Sequence, residues 1–200
     1  MIIGPKYKIA RRLGANIFEK TQTAKFALRQ ERKAGKGPYR PKGQFATQML
    51  EKQKARLSYG MGERQFKKYV KESVAKKGNT TQALFVRLES RLDNVVYRLG
   101  FASTRLAARQ MISHGHITVD GKKVTIASFS TKAGEKISLR ASSQKKTIFA
   151  NFDEKMKTVK VPTWLSYDAD KKTATVESEP KYSPTEHLFN LGSVIEFYSR

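Results

Sequence analysis

An excess of positive charge is the feature that most limits what this chain can form. Its 200 residues include 40 Lys and Arg against 17 Asp and Glu, which gives a formal net charge of +23 at pH 7. A surplus of this size repels itself in a compact chain unless a polyanion compensates it. The hydrophobic fraction of 38% is nevertheless too high for a wholly disordered chain. The sequence therefore predicts one large or two small folded domains with an anionic partner.

The positive charge is concentrated in the first three quarters of the chain. Residues 1–80 carry a net charge of +16, residues 81–150 carry +8, and residues 151–200 carry −1. A short basic run is usually a solvated tail. Here regular apolar spacing runs through much of the basic region, which must therefore largely fold. A folded surface with this charge favours nucleic-acid binding over a merely solvated face.

The sequence excludes several other classes of function. It contains no cysteine, so disulfides, thiolate metal sites and thiol catalysis are excluded. Its longest apolar run is four residues, 83–86, and no apolar targeting segment follows the first residue. The histidines, His114, His116 and His187, are poorly spaced for a metal site. No phosphate-binding loop or nucleophile motif is present, so we predict no enzyme, metal or cofactor.

Apolar spacing and turn residues predict an α+β fold. Residues 1–45 show little periodicity and are expected to be loosely ordered alone, gaining structure on a partner. Helices are predicted over 46–57, 63–77, 80–99 and 103–113. The second should bury Phe66, Val70 and Val74. The third should be capped by Thr80 or Thr81, and the fourth by Ser103.

Strands follow these helices. Residues 116–119 and 122–126 flank Asp120-Gly121, a pair typical of a two-residue hairpin turn. Further strands or strand-like stretches are predicted over 136–140, 147–152, 158–161 and 173–176. The sequence from Ser183 to Glu186 has the capping-box pattern and predicts a return to helix.

The helix predicted over 80–99 separates its charges. Arg87, Arg91 and Arg98 fall on one flank of its apolar stripe, and Glu89 and Asp93 fall on the other. A merely solvated face would usually interleave the two signs. The arginines are therefore predicted to point outward toward a partner.

Two arginines of the following helix extend this pattern. Arg91 and Arg98, with Arg105 and Arg109 one turn apart, are predicted to form the centre of an RNA-facing surface. Guanidinium groups match phosphate oxygens and stack on unpaired bases. The alternative is that Arg91 or Arg98 ties the domains together through a C-terminal carboxylate, such as Glu186 or Glu196.

Several motifs resemble the small-subunit ribosomal protein S-four family. Its RNA-binding module is matched by residues 91–101, 104–105, 108–110, 114–117 and 119–121, with Asp120 in place of the usual Asn. Motifs outside the module are matched by residues 4–6, 11–12, 51–54, 59–60, 78–80, 162–165 and 196–200. The resemblance covers nearly the whole chain, and the flanking motifs are much more specific than the module.

This resemblance implies an N-terminal, mostly helical domain with an inserted module of two short helices and a small, mainly antiparallel sheet. The implied divisions are 1–45, 46–79, 80–182 (core module about 89–152) and 183–200, the last segment packing back on the helical domain. It also implies a structural protein that binds a multi-helix junction of small-subunit rRNA early in assembly. The implied neighbours are the small-subunit protein numbered five and the mRNA entrance, with a role in translational accuracy.

The residues expected to contact rRNA come from the charge patterns and from the resemblance. They are Lys6, Arg11, Arg12, Lys52, Lys54, Arg56, Tyr59, Arg87, Arg91, Arg98, Arg105, Arg109, Gln110, His114, His116, Lys122 and Lys123.

Two departures from the family pattern affect these expectations. Tyr7 and Ala10 stand where many members have zinc-binding cysteines, so this chain is expected to be metal-free. Around Gln44 the family's basic loop is shortened, which puts its contribution to mRNA handling in doubt. The resemblance is to the bacterial or organellar type, and a family-like start at Gly4 leaves no room for an import presequence. The bacterial cytoplasm is thus expected, with a plastid ribosome as the alternative.

Two other functions stay open at this stage. An RNA-modifying enzyme could use the same module for targeting, although about 50 residues after the module's hairpin sheet contain no convincing acid–base set. A free RNA chaperone or translational repressor would also carry this charge.

Overall fold

The computed structural model divides into two compact units. Unit 1 comprises Met1–Phe85 and Tyr182–Arg200, and unit 2 comprises Val86–Lys181, so unit 2 is inserted in the sequence of unit 1. The structure describes residues 3–32, 43–150, 152, 154, 156, 159–184 and 187–199. The four-part domain division drawn from the sequence stays a prediction.

The described residues form helices and one antiparallel sheet, which confirms the predicted α+β class. The helices are α1 Lys6–Leu13, α2 Ala24–Glu31, α3 Gln44–Ser58, α4 Glu63–Val74, α5 Thr80–Glu89, α6 Leu92–Arg98, α7 Arg105–Ser113, α8 Ala141–Gln144 and α9 Leu191–Tyr198. The strands are β1 Ile117–Val119, β2 Lys122–Lys123, β3 Lys136–Leu139, β4 Leu165–Asp168 and β5 Thr173–Val176. Their order in the sheet is β2-β1-β3-β5-β4.

Unit 1 has more regular structure near its start than the sequence indicates. Helices α1 and α2 lie where the sequence shows little periodicity, and Ala10, Leu13 and Phe26 belong to a small buried cluster there. The helix predicted over 63–77 ends at Val74. Phe66 and Val70 are buried as predicted, but the prediction for Val74 is wrong, because this side chain is 48% exposed.

Unit 2 encloses its core between α6, α7 and the sheet. The buried residues include Val95 from α6, Ile112 from α7, and Ile137 from β3. Trp164 and Phe152 close the same cluster. The core therefore fixes α6 and α7, which carry most of the predicted arginine surface.

The prediction of a single helix over 80–99 is wrong. It breaks between α5 and α6, where the amides of Leu92 and Asp93 donate to the carbonyls of Phe129 and Ala127 at 2.8 and 3.1 Å. The caps also differ from the prediction. The Asn79 side chain accepts from the Gln82 amide at 3.1 Å, replacing Thr80 or Thr81 as the cap of α5.

The following helix is capped by Thr104 rather than by Ser103. The Thr104 hydroxyl accepts from the amide of Ala107 at 3.0 Å. A side-chain oxygen that accepts from the third residue of a helix is the usual N-cap bond.

The predicted hairpin is confirmed, although its second strand, predicted over 122–126, ends at Lys123. Asp120 and Gly121 both have positive φ angles, 48° and 75°, as the tight turn between β1 and β2 requires. The strand predicted over 136–140 is present as β3, and 173–176 is β5.

Other strand predictions are wrong or untested. Residues 147–149 form a short 3₁₀ turn rather than a strand, and residues 159–161 form none. Strand β4 was not predicted. The capping-box pattern includes residues 185 and 186, which lie outside the described residues; the helix that follows begins at Leu191 and is capped by Asn190.

None of the helices in the described part of the chain has both the length and the apolar composition that a bilayer crossing requires.

Candidate RNA-binding surfaces

Two arginines of unit 2 converge on one buried carboxylate, that of Asp93. Arg91 Nε and Nη2 donate to the two Asp93 carboxylate oxygens at 3.0 and 2.8 Å. Arg109, from α7, donates to Asp93 Oδ2 through Nε at 3.0 Å and Nη2 at 2.6 Å. The Arg91 and Asp93 side chains are only 4% and 2% exposed, whereas Arg109 is 26% exposed.

A second buried carboxylate, Glu89, organises the neighbouring side chains. Arg98 donates to its two oxygens through Nε and Nη2, both at 2.9 Å. Asn94 donates to Glu89 Oε2 at 2.8 Å, and its own Oδ1 accepts from Arg105 Nε at 2.8 Å. The Arg105 guanidinium also lies over the Tyr97 ring, 4.4 Å from its centroid. We call Glu89, Arg91, Asp93, Asn94, Arg98, Arg105 and Arg109 the arginine network.

The arginine network corrects the picture of arginines that segregate from the acids and point outward. That picture is wrong for Arg91, which is buried, because the helix break at residues 90 and 91 turns its side chain back onto Asp93. The alternative, a tie of Arg91 or Arg98 to Glu186 or Glu196, stays untested. The carboxylates that bind Arg91 and Arg98 belong to Asp93 and Glu89, and Glu186 lies outside the described residues. Arg98 and Arg109 are partly exposed, so their charge still reaches the surface.

The remaining predicted residues of unit 2 differ in exposure. Arg87 is half-buried on α5, and Gln110, His114, Lys122 and Lys123 are exposed. His114 follows α7, and the two lysines form β2 after the hairpin turn.

His116 is buried, unlike its neighbours. It is 8% exposed, and its Nδ1 lies 2.9 Å from the Ser143 hydroxyl. Burial lowers its pKa from the ordinary value, and the positive charges of Lys146, His114 and Arg140 lower that pKa further. The ring is therefore neutral near pH 7, so His116 supports the surface above it rather than supplying charge.

The first basic group of unit 1 lies on α1. Arg11 and Arg12 are exposed, and Lys6 is half-buried with its ammonium 5.7 Å from the centre of the Phe18 ring. Both arginines fall in the last turn of this short helix. They can meet an anion without rearrangement of the fold.

The second group of unit 1, on α3, is tied to its surroundings. Lys52 is buried, donates to Glu63 at 2.9 Å and lies 4.7 Å from the centre of the Phe197 ring. Lys54 pairs with Glu51 at 2.7 Å. Arg56 lies 3.3 Å from the other Glu63 oxygen. These cations are therefore largely used within unit 1.

Tyr59, the last predicted residue of this group, is 2% exposed. Its ring packs edge-on against that of Phe189, with centroids 6.0 Å apart. The side chain serves the packing of unit 1 and offers no open face for base stacking.

The C-terminal helix α9 joins this group. The Tyr198 hydroxyl donates to Glu63 Oε1 at 2.6 Å, and Gln48 donates to Glu196 Oε2 at 2.8 Å. Burial raises the pKa of Glu63, but hydrogen bonds from Tyr198 and Lys52 and the charges of Lys52 and Arg56 outweigh it and leave this pKa below its ordinary value. Burial and the bond to Glu63 raise the pKa of Tyr198.

Two exposed cations beside His116, Arg140 and Lys146, were not among the predicted residues. The paired Lys145-Lys146 after β3 was the available sequence signal, but only the fold brings this run next to residues 114–116. Within the described ranges no cluster of three or more His, Asp or Glu could hold a metal ion.

Comparisons with known proteins cover both units. The profile described as "Ribosomal protein S4/S9 N-terminal domain" matches residues 1–89, and the S4 domain profile matches residues 90–137. The chain is 39% identical to a protein of Akkermansia muciniphila and 42% identical to one of Roseiflexus sp., with 98% of each chain covered. A third relative, from Chromobacterium violaceum, is 40% identical over 99% of this chain and 98% of its own. All three are named small ribosomal subunit protein uS4.

The chain belongs to the uS4 family. This membership confirms the resemblance drawn from the motifs, including those outside the module. The boundary between the two matched profiles falls at residues 89 and 90, where α5 ends and the chain turns into the arginine network.

Proposed function

We propose that this protein is a structural component of the small ribosomal subunit that binds small-subunit rRNA through basic surfaces on both units. The observation that carries the proposal is the full-length similarity, at about 40% identity, to proteins named small ribosomal subunit protein uS4. Exposed cations on α1 and on the α7–β2 region of unit 2 supply the charge that RNA phosphates require.

The finer assignment follows the same family. The protein binds a multi-helix junction of 16S-type rRNA as a primary assembly protein, and it lies near the mRNA entrance. Its neighbour is the small-subunit protein numbered five, with which it influences translational accuracy. The bacterial relatives support a cytoplasmic ribosome. The protein is not an enzyme and needs no metal or cofactor.

The proposal predicts rRNA binding with a steep salt dependence. Binding that uses about six phosphate contacts should weaken roughly 10³-fold between 50 and 200 mM salt. Filter binding of the purified protein to transcribed 16S-type rRNA measures this slope. A flat response would contradict a phosphate-based interaction.

Co-sedimentation separates the proposal from its two rivals. A structural ribosomal protein stays on small subunits in a high-salt gradient, whereas a free RNA chaperone or a repressor is released. An RNA-modifying enzyme would leave chemically altered nucleotides in rRNA incubated with the protein, which mass spectrometry of the digested RNA would detect.

A further inference from the structure

Three basic side chains and a second histidine, from three parts of unit 2, lie around residues 114–116. His114 follows α7, Lys123 lies on β2, and Arg140 and Lys146 flank α8. His114, Lys123, Arg140 and Lys146 are all exposed. We call these four the His116 patch.

The backbone fixes three members of the patch relative to His116. The Arg140 amide donates to the His116 carbonyl at 2.8 Å, and the Lys146 amide donates to the Ser143 carbonyl at 3.0 Å. The Ser143 hydroxyl is the partner of His116 Nδ1. The centroids of the His114 and His116 rings are 6.0 Å apart. The patch is therefore built on hydrogen-bonded positions.

The fourth member, Lys123, lies across Gly115. A Cβ added at Gly115 would collide with the Cε of Lys123, and Gly115 also has a φ of +71° that disfavours any other residue. The missing side chain lets the lysine stem cross the backbone beside His114. The hairpin therefore places the Lys123 side chain next to the C-terminal end of α7.

The His116 patch differs from the arginine network in how its positive charge is compensated. The arginine network contains two buried carboxylates, Glu89 and Asp93, which offset half of its four arginines. Around the His116 patch, among the residues that the structure describes, no carboxylate lies within salt-bridge distance of Lys123, Arg140 or Lys146.

The two acidic residues between 101 and 150 are used elsewhere. Asp120 accepts from the Lys136 amide at 2.8 Å, and Glu135 accepts from the Lys132 amide at 3.1 Å. Both bonds lie at or before the first residue of β3, whereas Arg140 follows the last residue of this strand. Neither of these carboxylates is bonded to a patch cation, so an anion bound at the patch relieves the self-repulsion of its cations.

We propose that the His116 patch is a phosphate-binding site for RNA, separate from the arginine network, with Arg140 and Lys146 as contact residues. This inference rests on the proposed function, since it takes rRNA as the ligand. His116 is a positioning residue: it is neutral, and it holds the α8 turn through Ser143.

The test compares two double variants with equal charge loss in the same unit. Arg140→Ala/Lys146→Ala removes two patch cations, and Lys132→Ala/Lys136→Ala removes two exposed lysines near the other end of β3. Residues 136 and 140 are about 13 Å apart along an extended strand. Filter binding to 16S-type rRNA is measured from 50 to 300 mM salt, with thermal unfolding as the check on the fold.

We expect the patch variant to lower the slope of log affinity against log salt by about two units, one for each phosphate that the variant no longer binds. Its affinity near 100 mM salt should fall at least tenfold, while the control variant keeps its slope within about half a unit. Equal reductions in both variants would mean that net charge alone matters and would overturn the site. If wild-type protein does not bind rRNA at all, the proposed function fails, and the inference fails with it.

A second measurement needs no variant. Acetylation of lysines with a water-soluble ester, read by mass spectrometry, compares the free protein with its rRNA complex. Lys146 and Lys123 should be protected at least fivefold more than Lys132. Equal protection of all three lysines on complex formation would overturn the proposal even if the variants proved unstable.

Discussion

At the scale of single residues, Asp93 is expected to matter for stability, because the guanidinium groups of Arg91 and Arg109 both pair with its buried carboxylate. Breaking a buried ion pair by removing one partner leaves an uncompensated charge in a poorly solvated place. Asp93→Asn keeps the shape of the side chain but removes its charge. We expect a loss of about 3 kcal/mol in the free energy of unfolding, measured by urea denaturation.

An exposed ion pair provides the comparison for this prediction. Lys68 and Glu72 lie 3.7 Å apart on α4, with side chains 71% and 40% exposed. Lys68→Ala should change the free energy of unfolding by less than about 0.5 kcal/mol. A similarly small effect of Asp93→Asn would show that the network is not needed for stability, and would restore the view that its arginines serve mainly an outside partner.

His116 gives a prediction about pH. Its pKa is lowered in the folded protein by burial and by the charges of Lys146, His114 and Arg140, so the unfolded chain binds this proton more readily. Stability from this group is complete above the unfolded pKa, about 6.5, and falls as the pH drops through that value toward the folded pKa.

His116→Gln tests this pH dependence because the amide can still bond to Ser143 but does not titrate. The unfolding free energy of the wild type should fall from pH 7.5 to pH 5.5, and the variant should show a flatter curve over that window. Parallel curves for the two proteins would mean that His116 does not contribute to the pH dependence.

At the scale of elements, the sequence predicted which segments are helical better than where they break. The stripe of Leu84, Leu88, Leu92, Val95 and Leu99 is fully buried, as its spacing predicts. Nothing in that stripe marks the break between α5 and α6, since no Gly or Pro lies between residues 80 and 99. The break is stabilised by bonds to residues about 35–40 positions later, such as the Thr131 amide and hydroxyl on the Ser90 carbonyl.

The candidate site likewise combines features that local spacing predicts with features that depend on long-range contacts. Local spacing predicted that the arginines of α6 and α7 lie close together, and the arginine network joins them, while their contact with RNA stays a prediction. It could not show that Glu89 and Asp93 are buried beneath the arginines, since that depends on the long-range contacts at the break. It also missed Arg140 and Lys146, which reach His116 only through the pairing of β1 with β3.

The contact of α9 with α4 gives a prediction at this scale. Tyr198→Phe removes the hydrogen bond to Glu63 and should lower the free energy of unfolding by about 1 kcal/mol at pH 7. The Glu63 pKa is lowered in the folded protein, so this stabilisation is present above the unfolded value of about 4.5 and is lost as the pH falls further. Tyr7→Phe, at an exposed ring, is the control and should be close to neutral. An equal loss in both variants would show that the Glu63 contact is not special.

At the scale of the whole molecule, one compact unit is built from two separate segments of the chain and the other from a single segment. Unit 2 is continuous, whereas unit 1 needs both the first 85 residues and the last 19. Helix α9 covers α3, and the contacts of Gln48, Lys52 and Glu63 with α9 use residues more than 100 positions apart. Unit 1 therefore cannot complete its packing until the C-terminal residues are available, while unit 2 has all its residues by Lys181.

A chain ending at Lys181 tests this division. It lacks α9, so α3 and α4 should lose the cover that buries Lys52 and Phe66, while the core of α6, α7 and β3 stays intact. Amide hydrogen exchange should show protection in α3 and α4 reduced by at least tenfold, with protection in β1 and β3 close to that of the full chain. A matched full-length variant, Phe197→Ala, should produce a smaller change in the same helices, because it removes one ring and leaves the rest of α9. Equal loss of protection in both units would mean that they unfold as one cooperative block, and the inserted unit would then depend on a segment that it does not contain.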